Sequence, residues 1–165
     1  MMMDPLTGVF FYSILLKNDV IMIKLNKVYD FECLASFGTL SQKCVYELFT
    51  DGRRASGFLE QQIVEWFPEL TFEDGKGYDH VDAKGKLYDA KCFTKRGAKF
   101  CPSVMLGAGR KVDEQKLWEH ANDMIYIFCD VVDFPKVRII FKHGSDLTQY
   151  PKGSIPFKDR NVLFV

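Results

Sequence analysis

The chain has 165 residues, 47% of them hydrophobic, with 22 Lys plus Arg balanced by 22 Asp plus Glu. That length suits one domain with one core, and the apolar share, fifteen Phe included, excludes a disordered chain. The zero formal net charge leaves bulk electrostatics silent on partners, so any polyanion must be met by a local basic segment.

Five cysteines, Cys33, Cys44, Cys92, Cys101 and Cys129, give an odd number with no C-x-x-C pair. Neither a disulfide framework nor a structural zinc site is indicated, and reduced thiols in a cytoplasmic protein are expected. The apolar run of residues 9–16, "VFFYSILL", lacks a basic leader and is too short to span a bilayer. No membrane role is expected. Residues 1–21 read as an extra strand or a misassigned start, because Met22 opens "MIKLNKVYDFECLASFG", which has the look of a natural beginning.

Further along, "TLSQKCVYELF" (39–49) has helical spacing and "DGRRASG" (51–57) reads as a polar break. "FLEQQIVEWF" (58–67) places Leu59, Ile63, Trp66 and Phe67 on one helical face, and Pro68 ends it. "LTF" (70–72) is a short strand. "YDHVD" and "LYDAKCF" are strands joined by "AKGK", whose Gly85 suits a tight hairpin. "VDEQKLWEHAND" (112–123) predicts a helix with Asp113 as its N-cap. "MIYIFCDVV" and "KVRIIFK" are strong strands around "DFPK", and "SDLTQY" predicts a last short helix before a loop-like tail. This order predicts an α/β fold, a central mixed β-sheet flanked by helices, in a single domain over 1–165.

The chemistry concentrates in "GYDHVDAKGKLYDAK" (77–91), where Asp79, Asp89 and Lys91 form D-x9-D-x-K across a hairpin. Strand periodicity puts Asp89 and Lys91 on one face, and Asp79 approaches Asp89 from the paired strand. Two carboxylates at one point repel unless a cation lies between them. Few, hard oxygen donors favour Mg²⁺, with the Ala90 carbonyl as a further ligand. Lys91 beside it would hold or help deprotonate a water and offset phosphate charge. The plain alternative is an exposed hairpin with a cross-strand ion pair. Asp82 reads as a turn residue, His80 as a surface or core histidine, and Trp66, Trp118, Phe128 and Phe141 as core.

This stretch resembles the PD-(D/E)xK nuclease signature, most closely that of the compact PvuII-type restriction endonucleases. The first acid, the V-D pair, the glycine, the tyrosine, the second acid and the lysine fall in register without a gap. The motif's proline before the first Asp is replaced by Tyr78, as is usual in the PvuII type, and Asp89 stands where Glu is commoner. Close likeness covers about fifteen residues, with only the layout agreeing beyond them. The resemblance implies a restriction-endonuclease-like core with catalytic residues over 58–143. It implies metal ligation by Asp79 and Asp89 and a catalytic role for Lys91. Glu60, on the preceding helix, falls where many members place another acid.

The implied activity is Mg²⁺-dependent hydrolysis of double-stranded DNA, site-specific as in a restriction or homing endonuclease, by a homodimer in a prokaryotic or phage-infected cell. A junction-resolving nuclease and a non-catalytic DNA-binding protein on the same fold are the alternatives. From Lys84 to Lys111 eight cations face one acid, Asp89. Within and beyond that stretch, Lys95, Arg96 and Lys99 in "TKRGAKF", Arg110 and Lys111 in "LGAGRK", Lys142 and His143, and Lys152, Lys158 and Arg160 in the tail are the candidate DNA contacts.

Overall fold

A computed structural model describes residues 21–73, 77–102 and 112–165, and the backbone of 9–12. Its centre is a six-stranded mixed sheet. In chain order the strands are β2 (Val28–Glu32), β4 (Leu70–Phe72), β5 (His80–Asp82), β6 (Leu87–Phe93), β8 (Met124–Asp130) and β9 (Lys136–His143). They lie side by side as β2-β9-β8-β6-β5-β4. Neighbours are antiparallel except β6 and β8, which run parallel with Asp89 opposite Tyr126 and Lys91 opposite Phe128. Two small antiparallel pairs stand apart from it. One joins β1 (Val9–Tyr12) to β3 (Leu34–Phe37), and the other joins β7 (Ala98–Lys99) to β10 (Ser154–Ile155).

The helices follow from local sequence. Ser41 caps α1 (Gln42–Phe49) by accepting the Cys44 N–H, and Asp51 caps α2 (Gly52–Trp66) by accepting that of Arg53. The polar break expected over 51–57 is therefore the cap and first turns of α2, where Ala55 is already buried. Polarity misled because this stretch is one solvated side of a helix start. The helix ends at Trp66, ahead of Pro68, with Leu59, Ile63 and Trp66 buried as the spacing required. Asp113 caps α3 (Glu114–Ala121), and its side chain accepts the Lys116 N–H.

Period-two alternation divides the core between the two faces of the sheet. Tyr88, Ile127, Ile139 and Phe141 face α1 and α2. Phe93, Tyr126, Phe128 and Ile140 face α3 and the C-terminal tail. Central β8 is buried along its whole length, which is why it reads as an unbroken apolar run. Among the described residues no helix is long and apolar enough to cross a membrane.

The tail is more ordered than its loop-like sequence implied. Its β10 pairs with β7, and α4 (Arg160–Leu163) follows. Gly97 makes this packing possible. Its φ is +83°, and a Cβ there would run into the Ile155 carbonyl. The helix expected over "SDLTQY" is a 3-10 turn, Gly144–Leu147.

Candidate active site

The hairpin of β5 and β6 is closed by its own side chains. Asp82 Oδ1 accepts the backbone N–H groups of Lys84 and Lys86, each at 2.9 Å, and Gly85 takes a φ of +78°. Asp82 is thus the turn residue expected. At the other end the strands part. The Asp79 N–H donates to the Tyr88 carbonyl at 2.9 Å, and the Asp79 carbonyl accepts the Glu73 N–H at 2.9 Å. Past this point no strand among the described residues pairs with that edge of β6, and Asp79 Oδ2 accepts the Ala90 N–H at 2.8 Å. In a strand a residue's N–H and C=O point to the same side. The Ala90 carbonyl therefore faces the same open edge as the Asp79 carboxylate.

Asp89 is 4% exposed and forms an ion pair with Lys91, two residues along on the same face. Burial pushes its carboxyl up to about 7. Lys91 opposes that shift, while the Asp79 carboxyl, within hydrogen-bonding reach, adds to it. A solvent-exposed hairpin with a cross-strand ion pair does not describe this geometry. The acid is inside, and its cation comes from its own strand.

Glu60 lies on α2, half-buried. Its carbonyl accepts the Nε2–H of His80 at 2.8 Å, which fastens α2 to β5 immediately after Asp79. His80 is 0% exposed, a core histidine. The Cys92 thiol is pushed up to about 12 by burial first and then by the charges of Glu60, Asp51 and Asp79. Glu60 and Asp79 thus share the neighbourhood of Cys92, and the thiol is held inert. Among the described residues no three His, Cys, Asp or Glu side chains gather as a metal-binding group. The carboxyls that meet are the pair Asp79 and Asp89.

Of the basic candidates, Lys95 and Arg96 are exposed in the turn after β6. With Thr50, Asp51, Gly52, Thr94 and Val132 they line a cleft of about 230 Å³. Lys99, Lys152 and Lys158 are exposed on the unit formed by β7, β10 and the turn that follows. Pairing of Lys99 with Ser154 brings loop and tail cations together, which sequence distance concealed. Lys142 is half-buried. His143 caps the 3-10 turn, its Nδ1 taking the Ser145 N–H at 3.3 Å and lying 2.7 Å from the Ser145 hydroxyl. Arg160 is committed internally. It pairs with Asp130 at 2.8 Å and Asp133 at 2.5 Å, while Arg138 holds the same Asp130 oxygen at 2.6 Å. Arg110 and Lys111 lie outside the described residues.

Two polar residues beside the site went unnoticed in the sequence. Tyr126 neighbours Asp89 on β8, and on α3 the pKa of the His120 ring is lowered by burial first and then by the nearby charge of Lys91. Tyr126 sits in "MIYIFCD", where every signal says core, and only the register of β6 against β8 exposes the adjacency. No family model, curated protein or solved structure matches the chain.

Proposed function

We propose that the chain is a Mg²⁺-dependent DNA endonuclease on a restriction-endonuclease-like core, site-specific in the restriction or homing manner. The observation that carries the reading is the meeting of Asp79 and Asp89 at the opening of β5 from β6, with Lys91 beside them. A buried and a half-buried carboxyl that repel one another need a reason to stay together, and a shared cation supplies one.

The donor set fits a small hard cation. Two carboxylates and the Ala90 carbonyl offer oxygen only, few enough to leave room for water and phosphate. When bound there, Mg²⁺ polarises a phosphodiester and acidifies a water. The Asp79 and Asp89 carboxylates and the Ala90 carbonyl would hold it. Lys91 Nζ orients the attacking water and offsets phosphate charge. Glu60, whose backbone is tied to His80 next to Asp79, is the further acid. The exposed cations Lys95, Arg96, Lys99, Lys152 and Lys158 hold the DNA backbone, which fixes register without reading sequence. One such site cuts one strand, so double-strand cutting calls for a homodimer.

A second reading, a non-catalytic DNA-binding protein, draws on the Asp89–Lys91 pair, in which the acid's charge is already met by its own lysine. Supercoiled plasmid and branched DNA, each incubated with Mg²⁺ or EDTA, separate the two. Discrete metal-dependent fragments support the restriction or homing role. Cleavage only of branched substrates moves the reading to junction resolution. Salt-sensitive binding without any cleavage favours the second reading.

A further inference from the structure

The face of the sheet that carries Asp89 and Lys91 continues as a polar row into its centre. Asp89, Tyr126 and Lys142 stand side by side on β6, β8 and β9, in register and therefore on one face. Tyr126 is 0% exposed, and its hydroxyl has no hydrogen-bond partner among the described residues. On α3, which covers this face, the Nε2 atom of His120 is likewise buried without a partner. Buried hydroxyl and imidazole groups are almost always paired, with protein or with ordered water.

Packing does not account for the hydroxyl. The neighbouring rings Phe100 and Phe128, with Phe93 in the same cluster, are all phenylalanines. A phenylalanine at 126 would fill the same space at no polar cost. This stripe of β8 carries two polar residues: Asp130, whose carboxylate is held by Arg138 and Arg160, and Tyr126, which stands opposite Asp89 with no partner for its hydroxyl among the described residues. His120 repeats the pattern: its Nε2 is buried without a partner among the described residues, and its pKa is lowered by burial first and then by the charge of Lys91.

We propose that Tyr126 and His120 are positioning residues for the acid–lysine pair, joined to Asp89 and Lys91 through ordered water trapped between β8 and α3. The water lets the tyrosine hydroxyl donate toward the carboxylate and gives Lys91 Nζ a fixed acceptor. The ammonium then stays in its pair with Asp89 instead of sampling several rotamers. What this positioning serves rests on the nuclease reading, but the trapped water does not.

The test pairs a high-resolution crystal structure with kinetics on Tyr126→Phe. Density for water within hydrogen-bonding distance of the Tyr126 hydroxyl and of Asp89 or Lys91 is expected, with a single Lys91 rotamer. In Tyr126→Phe that water is lost and Lys91 becomes disordered. The variant's thermal midpoint stays at or above that of the wild type. Its kcat for Mg²⁺-dependent cleavage falls tenfold or more with KM unchanged, and His120→Phe lowers kcat in the same direction. A Tyr126→Phe kcat within twofold of the wild type overturns the proposal, as does a dry hydroxyl in the wild-type crystal. If the wild type cleaves no DNA, the nuclease reading fails by itself. Crystal density and Lys91 order in wild type and variant then decide the positioning alone.

Discussion

Asp79 and Ala90 are joined across the opening between β5 and β6 by one hydrogen bond, from the Ala90 N–H to Asp79 Oδ2 at 2.8 Å. That bond replaces the ladder contact the strands would make if they stayed paired. It gives Asp79 two duties, closing the backbone of β6 and presenting a carboxylate.

The two duties separate by substitution. Asp79→Asn keeps an oxygen for the Ala90 N–H and removes the charge. Its stability should stay within about 1 kcal/mol of the wild type while cleavage drops by roughly 100-fold or more. Asp79→Ala loses both, at a stability cost of about 1–3 kcal/mol. Chemical denaturation and plasmid cleavage measure the two effects. An Asp79→Asn protein as unstable as Asp79→Ala would mean that the charge, not the hydrogen bond, holds the strands.

Asp89 makes stability depend on pH in a defined direction. Its folded carboxyl titrates at about 7, above the roughly 4 of an unfolded chain. Between those values the folded state binds more protons, so this group's contribution falls as pH rises from about 4 to about 7 and then levels. Asp89→Asn removes the slope. Lys91 keeps a side chain 26% exposed and can turn toward water. The variant should match the wild type near pH 4 and exceed it by about 1–3 kcal/mol at pH 8, read from urea midpoints. A stability difference that does not change with pH would contradict the buried placement of Asp89.

Several features were legible from the chain because they are local. The hairpin around Gly85, the cap at Asp113 and the buried face of Leu59, Ile63 and Trp66 need only periodicity and turn chemistry. The spacing of Asp79, Asp89 and Lys91 already places them at one end of a hairpin. Pairing between distant segments was not legible. Nothing local announces that β6 lies parallel to β8, which brings Tyr126 to Asp89, or that Ser154 pairs with Lys99. Arg160 looked like Lys158 in the sequence. Only the fold delivers Asp130, 1% exposed, to its guanidinium.

The tail arginine and the loop cations should therefore behave differently. Arg160→Ala leaves Asp130 to Arg138 alone and should cost about 1–3 kcal/mol in denaturation. Lys95→Ala, Arg96→Ala and Lys99→Ala, all exposed, should change stability by less than about 0.5 kcal/mol. Each that meets a phosphate should lower the salt dependence of DNA binding by about one unit of log–log slope. Fluorescence anisotropy across a salt series reads this. If Arg160→Ala instead weakened DNA binding at unchanged stability, the internal role of its ion pairs would be wrong.

His80, next to Asp79, fastens β5 to α2 through the Glu60 carbonyl. Burial lowers its pKa, so the folded state takes up a proton less readily than the unfolded chain, and stability is lost as pH falls below the unfolded value of about 6.5. His80→Leu keeps the volume but drops the bond. It should cost about 1–2 kcal/mol at pH 8 and less at pH 5. A cost that grows on acidification would reverse this assignment.

The most direct measurement is Mg²⁺-dependent cleavage of plasmid and branched DNA by the wild type, Asp89→Ala and Lys91→Ala, with EDTA controls and salt-dependent binding measured on the same proteins. The account predicts metal-dependent cleavage by the wild type, loss of cleavage in both variants, and DNA affinity retained in Lys91→Ala to within a few-fold. DNA left intact by the wild type on every substrate, or cleaved equally well by Asp89→Ala, would contradict it.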